Sequence, residues 1–151
     1  MLKYNLNQID SISKKISSSL SKTDCIFLYG ELGSGKTTFV RSLIHQLQKK
    51  NKIKRTEVLS PTFSLLHEYE IKSFKVLHYD LYRLNKPKEL NKLGIFQENR
   101  NVITIIEWPK IINKKIKNRL EITFYNQEEP ESRKLKIKGF GKWKKFKLNA
   151  I

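Results

Sequence analysis

Hydrophobic positions change their period several times along the chain, and each change predicts an element. Leu6, Ile9, Ile12, Ile16 and Leu20 recur every three or four residues with polar residues between them. That spacing lays one apolar stripe on a helix over 7–20, with Asn7 or Asp10 as its cap. Cys25-Ile26-Phe27-Leu28-Tyr29 is a short unbroken apolar run, the pattern of a buried strand. Phe39, Val40, Leu43, Ile44 and Leu47 return to helical spacing and predict a helix over 36–50. Residues 63–71 and 74–79 read as two strands of a hairpin that turns near Lys72-Ser73. Pro87 and Gly94 bracket a short helix over 87–93, because proline presets the first-turn φ and glycine stops the last turn. Val102-Ile103-Thr104-Ile105-Ile106 is the most β-branched run and predicts a central strand buried on both faces. Residues 119–125 and 133–138 alternate as a closing antiparallel pair, separated by Gln127-Glu128-Glu129-Pro130.

This order predicts an α/β fold with parallel strands in the centre of the sheet, antiparallel strands at its edges and helices on both faces. At 151 residues without repeats or a linker, the chain is expected to form a single domain, 1–151, with a basic tail over about 139–151. The single cysteine, Cys25, falls in the first predicted strand, so no disulfide framework or cysteine zinc site is expected. The first twenty residues lack a signal-peptide core and no run of apolar residues is long enough for a membrane span. A reducing, cytoplasmic setting without membrane attachment is the expectation.

Between the first strand and the second helix lies Gly30-Glu31-Leu32-Gly33-Ser34-Gly35-Lys36-Thr37, which fits G-x-x-x-x-G-K-[ST], the phosphate-binding loop (Walker A) of nucleoside triphosphatases. Glycines let backbone approach an anion closely, and successive N–H groups surround a phosphate. Lys36 adds a mobile charge for the outer phosphates, and the Thr37 hydroxyl is a Mg²⁺ ligand candidate. The following helix opens with a partial positive charge toward the same anion. The chemistry therefore points to a nucleoside triphosphate with Mg²⁺.

Hydrolysis also needs an acid on the metal and a group that places the attacking water. Two acids follow apolar strands: Asp80 after His78-Tyr79, and Glu107 after residues 102–106. Asp80 is expected to act on the metal, through water, and Glu107 on the metal or on the attacking water; their exchange stays open. Glu107 reaches the loop's edge if its strand runs parallel to the first. Ser60-Pro61-Thr62-Phe63 is a candidate switch-like loop, with Thr62 as its sensor, or a plain turn. His45, His67 and His78 lack metal-site spacing. Trp108 reads equally as a cover for the site or as core.

The net charge of +17 changes the picture only in part. Lysines outnumber arginines 25 to 6, a pattern that a coding bias alone produces. Two clusters stand out, 49–55 and the stretch from Arg133 to Lys147, where Phe140, Trp143 and Phe146 are interleaved. Basic plus aromatic suits single-stranded nucleic acid, and equally an end segment that docks its aromatics on the core.

The chain resembles the bacterial TsaE family (YjeE in older usage), small P-loop ATPases of tRNA threonylcarbamoyladenosine synthesis. GELGSGKT over 30–37, SPTF over 60–63, HYDLYRL over 78–84, ELNKLGI over 89–95 and IEW over 106–108 follow the family's patterns in order and spacing. The resemblance implies that Glu31, Leu32, Gly33, Ser34, Gly35, Lys36, Thr37 and Thr38 hold the ATP phosphates. It implies Thr37 and Glu107 near Mg²⁺, with Asp80 a ligand or held to it through water, and Thr62 in the switch-like loop. Catalytic roles then fall to Glu107, Asp80 and Lys36. The family's late Gly-Arg-Glu-like element is represented only by Arg133 in Ser132-Arg133-Lys134. The family implies an ATP hydrolase, slow on its own, that binds and resets a TsaD–TsaB heterodimer, with tRNA met through that complex. The alternative is a small kinase of a metabolite or nucleoside, with Asp80 and Arg83 holding the acceptor. Such kinases close an Arg-rich lid, and only Arg83, Arg100 and Arg119 lie between Arg55 and Arg133.

Overall fold

A computed structural model describes residues 1–97, 101–127, 129 and 131–148. Arg100, Glu128, Pro130 and the last three residues of the basic tail, all part of the sequence-based expectations, lie outside the described residues. Seven strands form one sheet: β1 (Leu2–Asn5), β2 (Cys25–Tyr29), β3 (Leu66–Ile71), β4 (Phe74–Asp80), β5 (Val102–Glu107), β6 (Arg119–Tyr125) and β7 (Ser132–Phe140). Their spatial order is β1-β7-β6-β2-β5-β4-β3. β2 runs parallel to β5 and β6, and β4 runs parallel to β5. β3 on β4, β7 on β6 and β1 on β7 are antiparallel, so the parallel centre and antiparallel edges are as expected.

Helices α1 (Ile9–Ser19) and α2 (Lys36–Lys50) pack on one face. Ile12, Ile16, Phe39, Leu43 and Ile44 meet Ile26, Leu28, Ile103, Ile105, Leu120 and Ile122 there. Each such fully buried side chain contributes about 1.5–3 kcal/mol. The short α3 (Pro87–Lys92) belongs to the opposite face, where Leu90, Leu93, Ile95 and Phe96 cover Phe27, Tyr79 and Ile106. No described helix is long and apolar enough to cross a membrane.

Several elements differ from the expectation. β1 was not anticipated: four residues with Tyr4 alone buried carry too little pattern to announce a strand. The first helix begins at Ile9 after a 3-10 turn over Leu6–Gln8, and its expected caps do other work. Gln8 Oε1 accepts from the Asn5 N–H at 2.8 Å, and the Asp10 carboxylate accepts from the Ser42 hydroxyl on α2. β3 starts at Leu66, not at 63, because Leu65 sits at φ +66° and its N–H closes a turn onto the Pro61 carbonyl at 2.6 Å. β7 is longer than expected. The basic tail's aromatics serve the core: Trp143, in a 3-10 turn over Gly141–Lys145, is buried and meets Phe146 edge-on at 5.1 Å.

Candidate active site

Alternation in the central strands decides which side chains face α2. On β4, Val76 lies in the α2-side core, so His78 and Asp80 share its face; on β5, Ile103 and Ile105 do the same for Glu107. Asp80 and Glu107 are directly paired in register at the carboxyl ends of adjacent parallel strands. The glycine-rich loop leaves β2 at that same edge and enters α2 at Lys36. This edge is where open α/β sheets bind ligands.

Two glycines are needed by the backbone itself. Gly30 has φ +139°, and a Cβ there would stand 2.6 Å from Ser34 Oγ and 2.7 Å from the Phe124 carbonyl. Gly35 has φ +103° and immediately precedes α2, turning the chain so that the helix N-terminus faces the loop.

The loop, Ser60, Thr62, Asp80, Tyr82, Glu107 and Trp108 line a cleft of about 190 Å³. Lys36 is almost fully buried within it. Its Nζ donates to the Gly30 carbonyl at 2.8 Å, the Glu31 carbonyl at 2.7 Å and Ser34 Oγ at 3.4 Å, and stands 4.1 Å from the centre of the Trp108 ring. Burial holds this ammonium below the ordinary lysine range, while Glu107 and Asp80 pull it back upward. Its contacts are dipoles and a ring; no carboxylate lies within ion-pair distance among the described residues. A buried cation balanced only by dipoles suits an anionic ligand, and this is the test that a triphosphate passes.

Glu107 and Asp80 have different surroundings. Thr37 Oγ1 donates to Glu107 Oε1 at 3.0 Å and lies 3.2 Å from Oε2. His78, wholly buried, donates from Nε2 to Glu107 Oε1 at 2.8 Å. That bond assigns the proton to Nε2, and Nδ1 has no hydrogen-bond partner among the described residues. Asp80 instead ties down the SPTF segment. Its Oδ2 accepts from Thr62 Oγ1 at 2.8 Å and from Ser60 Oγ at 3.4 Å, and its Oδ1 accepts from the Tyr82 N–H at 3.0 Å. A hydroxyl and two carboxylates form a hard-oxygen donor set that fits Mg²⁺, which keeps several waters and takes few protein ligands. Among the described residues no three of His, Cys, Asp and Glu cluster to hold a metal by themselves.

Trp108 follows Glu107 at φ +58°, a conformation that costs a bulky residue of order 1–2 kcal/mol. The twist lays its ring over Lys36 and 4.8 Å from the Tyr82 ring.

Of the residues named from sequence, Leu32 to Thr38, Thr62, Asp80 and Glu107 come together around this cleft. Glu31 contributes its carbonyl to Lys36, while its carboxylate accepts from Asn126 at 3.3 Å. Arg133 is not among the lining residues; it lies on β7, separated from β2 by β6, with Nη1 on the Ser132 carbonyl. The sequence places His78 two residues before Asp80, on the same side of a strand, and Ser60 in the candidate loop; the hydrogen bond of His78 to Glu107, that of Ser60 to Asp80 and the place of Tyr82 were missed.

A family model described as threonylcarbamoyl adenosine biosynthesis protein TsaE matches residues 4–135. The tRNA threonylcarbamoyladenosine biosynthesis protein TsaE of Rickettsia felis is 38% identical over 108 residues, which is 72% of this chain and 61% of that protein. The Rickettsia conorii protein of the same name is 40% identical over 101 residues, 67% of this chain and 55% of that protein. The match therefore spans less than two thirds of the length of either relative. The crystal structure of Bacillus subtilis YdiB has a TM-score of 0.69 over 93% of this chain and 86% of that one, at 23% identity, a likeness of fold.

Proposed function

The chain belongs to the TsaE family, and from that premise we propose that it is a Mg²⁺-dependent ATPase of threonylcarbamoyl modification in tRNA, acting in the cytoplasm by binding and resetting a TsaD–TsaB heterodimer. One observation carries the reading: the desolvated Lys36 ammonium, the Thr37 hydroxyl and the carboxylates of Asp80 and Glu107 converge on one cleft at the carboxyl edge of the sheet.

The roles follow from the contacts. Backbone N–H groups of 31–38 and the start of α2 take the phosphate charge, and Lys36 leaves its carbonyl partners for phosphate oxygens. Bound Mg²⁺ supplies charge neutralisation and polarises the transferring phosphoryl group. Thr37 and Glu107 are assigned to hold it, since they already share a hydrogen bond. His78 fixes the carboxylate's orientation from behind. Asp80 links the site to the 60–62 loop, so that Thr62 and Ser60 move with events at the outer phosphate. Trp108 and Tyr82 exclude water from the Lys36 side.

Slow turnover in the free protein is the expectation that the described arginines support. Arg83 lies 5.2 Å from the Phe63 ring centre, Arg119 pairs with Glu121 at 2.7 Å, and none of Arg41, Arg55 and Arg133 lines the cleft. A missing finger is worth about a thousandfold or more. Docking is favoured by an apolar rim at the mouth: Leu32 is 63% exposed and Phe63 85%. The deciding experiment is a pull-down of the purified TsaD–TsaB heterodimer with and without ATP. Retention that ignores ATP, together with no ATP turnover in the mixture, would overturn the proposal.

A further inference from the structure

We propose that the open face of the sheet at β1, β7 and β6 binds single-stranded RNA along its backbone. Side chains alternate along these strands. Tyr4, Leu120, Ile122, Phe124 and Leu135 point into the core beneath α1 and α2. Lys3, Lys134, Lys136, Lys138 and Tyr125 therefore share the opposite face, and all but Lys134, which is half-buried, are exposed.

Basic side chains outnumber acids on this face. Lys3 stands directly across the ladder from Lys134, and its own ammonium pairs with the exposed Glu129 carboxylate at 3.5 Å. Lys136 faces Thr123, and Lys138 faces Glu121, whose carboxylate already accepts from Arg119 at 2.7 Å. Lys134, Lys136 and Lys138 make no ion pair among the described residues. Like charges close together on a sheet are destabilising, and Glu121 and Glu129 offset only part of this row. A polyanion laid along the row relieves that repulsion.

The geometry selects the kind of polyanion. Lysines at every second residue of one strand stand about 6.7 Å apart, on the scale of the step between neighbouring phosphates in an extended single strand. At one end of the row Tyr125 is paired in register with Lys134 and presents an exposed ring. At the other, the Phe140 ring is engaged by two cations, with the Arg119 guanidinium 3.6 Å and Lys138 Nζ 4.9 Å from its centre. An exposed ring beside a basic row, as at Tyr125, is what an unpaired base stacks on. An acidic protein surface needs neither the regular step nor the ring. The choice of RNA over DNA rests on the proposed role in tRNA modification; the choice of face does not.

The test uses the full chain without ATP, so that it is independent of the ATPase reading. Fluorescence anisotropy of a labelled single-stranded RNA oligomer is followed from about 50 to 200 mM salt. Replacing the three lysines together (Lys134→Gln, Lys136→Gln, Lys138→Gln) should weaken binding at least tenfold and lower the slope of log affinity against log salt by about 2. An equal charge loss elsewhere (Lys49→Gln, Lys50→Gln, Lys52→Gln) should leave both nearly unchanged. The thermal midpoint of the first triple variant should stay level or rise. If it falls, Lys136→Gln alone serves, with an expected slope change of about 0.7. Wild-type binding in the face variants, an equal loss in the control, or equally tight binding of polyglutamate would overturn the proposal.

Discussion

Lys36 is the residue whose setting says most about the chemistry, because a desolvated ammonium held by carbonyls, a hydroxyl and a ring, with no carboxylate, is poised to exchange them for phosphate oxygens. Lys36→Ala should therefore weaken ATP binding at least tenfold by titration calorimetry while the fold persists. Glu107 has a different dependence. Glu107→Gln keeps the size and one acceptor for Thr37 but loses the charge, so ATP binding should stay within a few-fold while hydrolysis falls by about a hundredfold. Unchanged turnover would remove Glu107 from the chemistry. Among the described residues the His78 side chain hydrogen-bonds only to Glu107. His78→Ala should lower kcat by about tenfold with little change in KM, and His78→Gln, which restores a donor at nearly the same reach, should recover most of it. A loss that the glutamine variant fails to repair would make His78 a packing residue.

At the scale of elements, the end of the chain matters more for stability than its charge suggests. Gly139 on β7 has the Trp143 carbonyl where a Cβ would stand, so the 3-10 turn lies hard against the strand and seats the indole in the core. Trp143→Ala should cost about 3–5 kcal/mol in chemical denaturation. A loss below about 1 kcal/mol would mean that the turn is only an appendage. The segment 60–65 is the opposite case. Phe63 was expected to open a strand, but it is left in solvent while Asp80 holds Thr62 and Ser60 beside the cleft. Besides these hydroxyl bonds the segment is held by the buried Pro61 and by backbone bonds through Leu65, from its N–H to Pro61 and from the Asp80 N–H to its carbonyl.

At the scale of the molecule, two large apolar side chains are left exposed near the cleft, Leu32 in its lining and Phe63 next to Thr62 in sequence. Leu32→Ser and Phe63→Ser together should reduce retention by the TsaD–TsaB heterodimer at least tenfold and leave intrinsic ATP hydrolysis nearly unchanged. Equal loss of both would tie these side chains to the nucleotide rather than to the partner. The same pull-down with Lys36→Ala should lose its dependence on ATP.

The sequence by itself determined the elements and the chemistry of the loop. Strand 25–29, helix 36–50 and strand 119–125 are legible to the residue, because period and apolar content are local properties and the glycine-rich motif is contiguous. That two acids follow apolar strands was equally plain. Tertiary structure alone decided how they divide the work. Asp80 and Glu107 are twins as strand-ending acids, and what separates them is Thr37 at the start of one helix, His78 on a neighbouring strand and a loop twenty residues away in sequence. The edge strand β1, the open lysine row and the place of Arg133 also depend on which strands become neighbours. Strand order is set by burial summed over the whole sheet, and no window of sequence carries that sum.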